Sequence, residues 1–259
     1  MSISDPISHL HAVTRSATEL HEHLAPILAA RGRDVHFRPT SRGVTMVGLN
    51  SETPQRGRNF GSAAIIAADF EALFHRHCVE IGQGRPTPEK QLQSWLISQA
   101  YQNSRRMVPI EIAAARRGHA ADLLFVTDEI PVKHPTKGKI LCDLLVLRQV
   151  EDGTFRAVDM ELKTSRAMTE LVSQVDAYAE MVDRHVEEYA ALFSALFSAL
   201  LGQEVELSGP CEKWIVWPMP KGHKRDPRED ELADMGIRMV SYEQLGKSYR
   251  FHVGAPVEW

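Results

Sequence analysis

The sequence predicts an α/β protein, a mixed sheet of four or five strands flanked by helices, with an N-terminal extension. Three stretches predict it. Ile140 to Leu147 is apolar at nearly every position except Asp143, the pattern of a central strand buried on both faces. Phe155 to Lys163 alternates, with Val158, Met160 and Leu162 on one side and Asp159, Glu161 and Lys163 on the other, the period of a strand. From Met168 to His185 the period becomes helical, bringing Leu171, Gln174, Tyr178 and Met181 on or near one side.

Size and composition are compatible with that class. The 259 residues suffice for one large domain with an extension, and 43% hydrophobic residues can build a sizeable core. A formal net charge of -4 excludes a basic overall field, so any nucleic-acid contact must come from local patches. The three cysteines, Cys78, Cys142 and Cys211, are far apart and lack CxxC spacing. That argues against a zinc ribbon or disulfide framework and suits a reduced cytoplasmic protein. The N-terminus lacks the basic start and apolar core of a signal peptide. The most apolar stretch, Tyr189 to Leu201, is shorter than the ~20 residues that span a bilayer, so no membrane partner is expected.

The elements follow in order. Ile3 to Ala30 reads as a helix ending at Arg31-Gly32, and Val35 to Leu49 as a hairpin around Arg42-Gly43. Asn50 to Gly61 is a loop, and Ala63 to Ile81 a second helix. Gly82 to Pro88 is the clearest break, which sets an N-terminal extension of residues 1–82 against a core of residues 83–259. A helix over Pro88 to Gln102 starts with Thr87 as N-cap and Pro88 in the first turn, and Glu89 projects from the end of its apolar stripe. Leu123 to Val126 is a strand and His134 to Lys139 a basic turn. Glu151 to Thr154 turns the chain between the two signature strands. A helix over Glu187 to Leu201 stops at Gly202, Lys213 to Trp217 is a strand, Pro218 to Asp230 a polar loop, and Ile237 to Tyr242 the last strand.

The chemistry centres on Asp143. An ionised carboxylate in a buried strand is costly unless its charge is compensated. Mg²⁺ is a hard cation commonly held by one or two carboxylates plus waters. Asp143 and Glu161 would meet across adjacent antiparallel strands, close enough to share one ion. Lys163, two residues past Glu161, points the same way and can orient water or offset charge on a phosphoryl group. Two acids and a base at this spacing suit metal-assisted phosphodiester hydrolysis.

Asp143 followed by Glu161-Leu162-Lys163 resembles the D…ExK signature of the PD-(D/E)XK nuclease superfamily, whose core is restriction-endonuclease-like. Gln174 to Tyr178 resembles the QxxxY motif of the branch containing the RecB nuclease domain and Cas4-type exonucleases. Glu89 resembles the acid that many members carry on the first core helix. The resemblance covers roughly Thr87 to Tyr242, lacks the proline often found before the Asp, and leaves Met1 to Ile81 unexplained. It implies a deoxyribonuclease using Mg²⁺, with Mn²⁺ as substitute, that attacks with a metal-bound water. Asp143, Glu161, the Leu162 carbonyl and Glu89 would serve the metal, and Lys163 the attacking water. Gln174 and Tyr178 would support the site or touch DNA, and Arg166 follows directly after the ExK strand, where a phosphate backbone would pass. No iron–sulfur cluster is implied, and a homodimer is left open. The alternatives are a non-catalytic nucleic-acid or protein-binding module on the same fold, or a nuclease for RNA.

Plainer expectations stand beside these. Asp159 is expected at a solvated strand end. The His21/His23 and His75/His77 pairs are expected at the surface, because i, i+2 side chains diverge on a helix. Trp214 and Trp217 are expected in the core. Lys133 to Lys139 and Lys221 to Arg225 suit phosphate contact and solvated loops equally.

Overall fold

A computed structural model describes residues 6–29, 35–40, 43–49, 59–60, 87–118, 122–150, 153–166, 170–220, 222 and 227–253. The expected helix Ala63 to Ile81, the break from Gly82, the His75/His77 pair and all of Lys221 to Arg225 except Gly222 lie outside these residues. The chain divides into two compact units, Met1–Ser98 and Gln99–Trp259. The division falls inside a helix, downstream of the break read from the sequence.

In the first unit, helix α1 (Pro6–Ala29) packs on the hairpin of β1 (Val35–Thr40) and β2 (Gly43–Gly48). A third strand, β3 (Asn59–Phe60), pairs antiparallel with β2 where a loop was expected. Val13, Ala17, Phe37, Val44 and Val47 are buried. His21 corrects the expected surface histidine: its ring meets both His36 and Phe37 of β1 at centroid distances of 6.4 Å. Helix α2 (Pro88–Gln102) has the expected bounds. Thr87 Oγ1 accepts the Lys90 N–H at 3.3 Å, the N-cap bond that its position predicts.

The second unit is a six-stranded mixed sheet flanked by helices, in the order β4 (Asp122–His134), β5 (Gly138–Gln149), β6 (Phe155–Leu162), β7 (Glu212–Pro218), β8 (Ile237–Leu245), β9 (Ser248–Val253). β4, β5 and β6 form an antiparallel meander. β7 runs parallel to β6 and β8 parallel to β7, while β9 returns antiparallel. Sequence reading expected four or five strands ending at Tyr242. The sixth arises because Gly246, at φ 64, turns the chain and Ser248–Val253 pair back on β8. The described residues of this unit also form helices α3 (Val108–Ala115), α4 (Leu171–Arg184), α5 (Val186–Leu201) and α6 (Arg228–Asp234). α3 was not foreseen. It is short, and Glu111 in its first turn accepts the Leu123 N–H at 2.8 Å, so a tertiary contact holds it. α5 ends at Gly202 in the left-handed region, φ 69, as its sequence signals.

The sheet carries different chemistry on its two faces. α4 and α6 cover one face: Leu171, Val175 and Leu232 pack with Ile215, Trp217, Ile237 and Met239. On the other face Glu212 sits among three arginines. Arg148 grips it with Nε at 3.1 Å and Nη2 at 2.5 Å, and Arg156 and Arg238 each reach it at 3.4 Å. Trp214 Nε1 donates to the same carboxylate at 2.9 Å. Trp214 and Trp217 are fully buried, as expected. Among the described residues no helix is long and apolar enough to cross a membrane.

Glu212 contacts all three guanidinium groups of that cluster. Burial alone would raise its carboxyl; the Arg148 hydrogen bonds and the charges of Arg238 and Arg148 more than reverse this and hold it below its ordinary value of 4.5. A lowered carboxyl binds fewer protons folded than unfolded, so its contribution is present above the ordinary value and lost as pH falls below it. Glu212→Ala leaves buried guanidinium groups uncompensated and should cost about 3–5 kcal/mol. In urea titrations at pH 7 the midpoint should fall with little change in slope, and the gap to wild type should narrow in acid.

Candidate functional site

The site forms where β5 and β6 part. Their ladder runs from Gln149↔Phe155 to Leu144↔Met160 and stops there. At the next step Asp143 takes the ladder's place: its Oδ2 accepts the Leu162 N–H at 2.8 Å. The backbone changes phase at the same point. Leu145 lies opposite Asp159, which lies beside Lys213 of β7, on the face covered by α4. Cys142, three residues away, should point to the opposite face in a regular strand. Its thiol nevertheless lies against Asp159, and its ladder-mates extend to His134, which reaches Glu180 on α4 at 3.2 Å. On β4, Glu129 falls with Asp143 between the paired steps Asp128↔Leu144 and Ile130↔Cys142, and it is held at φ 49, a left-handed conformation unusual outside glycine. Both strands thus switch face at Glu129 and Asp143.

Glu161 and Lys163 follow on β6. Glu161 is buried, and Lys163 Nζ donates to its Oε1 at 2.5 Å. The Lys163 backbone is fixed twice, by its N–H to the Val216 carbonyl at 2.8 Å and by the Tyr242 hydroxyl, which donates to its carbonyl at 3.2 Å. Asp143, Glu161, Leu162 and Lys163 are therefore brought together as the sequence implied.

Asp159 is a correction. It is no solvated strand end but a buried carboxyl, because β6 is an inner strand under α4. Burial pushes it well above the usual carboxylate range. The Cys142 thiol against it pulls the other way, Glu161 and Asp143 push it further up, and Lys163 opposes them. Its Oδ1 is buried with no hydrogen-bond partner among the described residues. Burial, followed by the charge and hydrogen bond of Asp159, also raises the Cys142 thiol well above its ordinary value, which makes it unreactive. The sequence places Asp159 in phase with Glu161 but at a solvated strand end, and it assigns no role to Cys142. The available signal was Cys142 next to Asp143 and a third acid, Asp159, in phase with Glu161.

Other expected site residues separate. Tyr178, on α4, is fully buried; burial and then Tyr189 raise its phenol. Gln174, one turn earlier, is exposed near the helix start. Arg166 lies beyond Lys163, but its guanidinium is engaged within the protein. It donates to the Pro218 carbonyl at 2.8 Å, to Glu229 at 3.0 Å and to Ser241 Oγ at 3.1 Å, and lies 4.1 Å above the Trp217 ring. That makes it a positioning residue for the loop after β6. Glu89 belongs to the first unit, half-buried in the first turn of α2.

Among the described residues no group of three or more His, Cys, Asp or Glu side chains is arranged to hold a metal. The paired carboxylates Asp143 and Glu161 still fit Mg²⁺, which takes one or two carboxylates and keeps several waters. The orphaned Asp159 oxygen beside them adds hard-oxygen character to the site. The donor set does not suit zinc, which prefers nitrogen and sulfur ligands. Compared with family models, curated proteins and solved structures, the chain matches none.

Among the described residues the Tyr178 hydroxyl lies near Tyr189 but has no partner within hydrogen-bonding geometry. Tyr178→Phe should leave thermal stability within about 1 kcal/mol of wild type, because no bond is lost. Tyr178→Ala should cost about 3–5 kcal/mol, because the ring fills the core. Comparable losses in both variants would show that the hydroxyl matters.

Proposed function

We propose that this chain is a Mg²⁺-dependent nuclease of the PD-(D/E)XK type that hydrolyses DNA phosphodiester bonds. The observation that carries the reading is the meeting of Asp143, Glu161 and Lys163 at the parting of β5 and β6. The order of elements supports it: an antiparallel meander bearing the acids and lysine, a helix bearing Gln174 and Tyr178, then a strand parallel to the last of the meander. A restriction-endonuclease-like core has that order.

Asp143, Glu161 and the Leu162 carbonyl would hold the ion. A bound Mg²⁺ supplies Lewis acidity toward a phosphoryl oxygen and lowers the pKa of water. The chain's own residues do the rest. The Leu162 N–H fixes the direction of the Asp143 carboxylate. Lys163, on a backbone fixed by Val216 and Tyr242, presents an ammonium group that orients the attacking water and offsets charge building on the phosphate. Arg166 anchors the chain just past Lys163 through Glu229, Ser241 and Trp217.

The close Lys163–Glu161 pair also favours a second reading, the same fold used as a binding module, since the ammonium already neutralises the carboxylate. Incubating wild type, Glu161→Ala and Lys163→Ala with mixed DNA and RNA substrates separates the two. With Mg²⁺ or Mn²⁺, wild type should cut DNA, each variant should be at least about 100-fold slower, and EDTA should abolish cleavage. Equal cleavage by all three proteins sinks the site. Binding that ignores metal, with no cleavage, marks the binding module.

A further inference from the structure

Beyond Asp143, β4 and β5 leave the sheet as a two-stranded ribbon. β5 pairs with β6 only as far as Leu144, yet its pairing with β4 continues to His134↔Gly138. Residues 129–134 and 138–143 therefore overhang the site by roughly 20 Å. A tight turn closes the tip, with Gly138 at φ 74. The ribbon is braced on α4. His134 Nδ1 accepts the backbone N–H groups of Thr136 at 3.2 Å and Lys137 at 3.1 Å, which leaves its Nε2 to donate to Glu180. Lys137 Nζ donates to the Ser173 carbonyl at 2.8 Å and to its hydroxyl at 2.9 Å.

The face switch at Glu129 and Asp143 decides what the ribbon shows outward. Ile130, Val132, His134 and Cys142 are buried. Lys133, Lys139 and Leu141 are exposed, Leu141 at 45%. Lys133 and Lys139 lie directly opposite each other, and Pro131 opposite Leu141. Like charges at facing positions are destabilising. Among the described residues neither lysine has an acidic partner to offset this. Lys139 lies four residues from Asp143, roughly 13 Å along the strand.

We infer that this ribbon is a duplex-DNA-binding arm, its facing lysines on the phosphates either side of a major groove and Leu141 against the groove wall. The inference rests on the nuclease reading and names its substrate class. A two-stranded ribbon fits the major groove of B-DNA. The major groove of A-form RNA is too deep and narrow for it, and a single strand has no groove. The bracing on α4 spares the arm an ordering cost on binding.

Fluorescence anisotropy in EDTA tests the arm without relying on cleavage. The probes are one 20-base-pair DNA duplex, its single strand and the matching RNA duplex, each titrated with wild type and Lys133→Gln/Lys139→Gln. On the DNA duplex the double variant should bind about 10-fold more weakly, and its salt slope should fall by about 2, one per phosphate contact. Both lysines are exposed, so its melting curve should match wild type, and the Lys→Arg pair should restore binding. Unchanged affinity and slope on the DNA duplex overturn the arm, as does an equal loss on all three probes or failure of wild type to bind the duplex. Weaker duplex binding without cleavage by any protein would keep the arm and refute the nuclease. Cleavage with unchanged binding would do the reverse.

Discussion

The second unit depends on one substitution in its hydrogen bonding. At Asp143 a side-chain carboxylate accepts a backbone N–H that would otherwise seek a ladder partner. A buried N–H must be satisfied somewhere, and here an acid does it. β5 is thereby released from β6 while staying attached to it. The release lets β5 and β4 switch face together, aided by Glu129 in its left-handed conformation. The carboxylate cluster on β6 and the overhanging ribbon both follow from this one exchange.

Charge is sorted by face. On one side, Glu212 is outnumbered by guanidinium groups, and its carboxyl is held low. On the other, Asp143, Asp159 and Glu161 are near one another, and Lys163 is the cation that influences them. The first arrangement is closed and serves cohesion. The second has an acid excess, and burial pushes the Asp159 carboxyl well above its usual range. A site with surplus hard oxygens is the kind that a divalent cation would complete, and the nuclease proposal draws on this.

Much of the fold was legible because local signals agreed with tertiary demands. The apolar run around Asp143, the alternation through Glu161 and the helical period through Tyr178 became β5, β6 and α4 with bounds close to those expected. Thr87 capped its helix and Gly202 ended another. The failures have physical causes. α3 is short and held by a contact distant in sequence, Glu111 to Leu123, while β9 depends on the tight turn at Gly246 that folds it back on β8. Asp159 was misjudged because alternation tells which residues share a face, not whether a helix covers it. Arg166 looked like a phosphate ligand by position, yet Trp217, Glu229 and Ser241, all distant in sequence, engage it.

The sequence by itself determined that Asp143, Glu161 and Lys163 sit on neighbouring strands, because strand period and turn spacing are local properties. Only the tertiary structure decided how the acid at the centre of that stretch is used. Whether Asp143 points into a face or into the plane of the sheet depends on where the ladder between β5 and β6 breaks. Tertiary packing likewise decided that Asp159 is buried, that Gln174 and Tyr178 part company, and that two facing lysines stand on a braced ribbon beyond the site. Each of these depends on what covers a residue, and cover comes from segments far away in the chain.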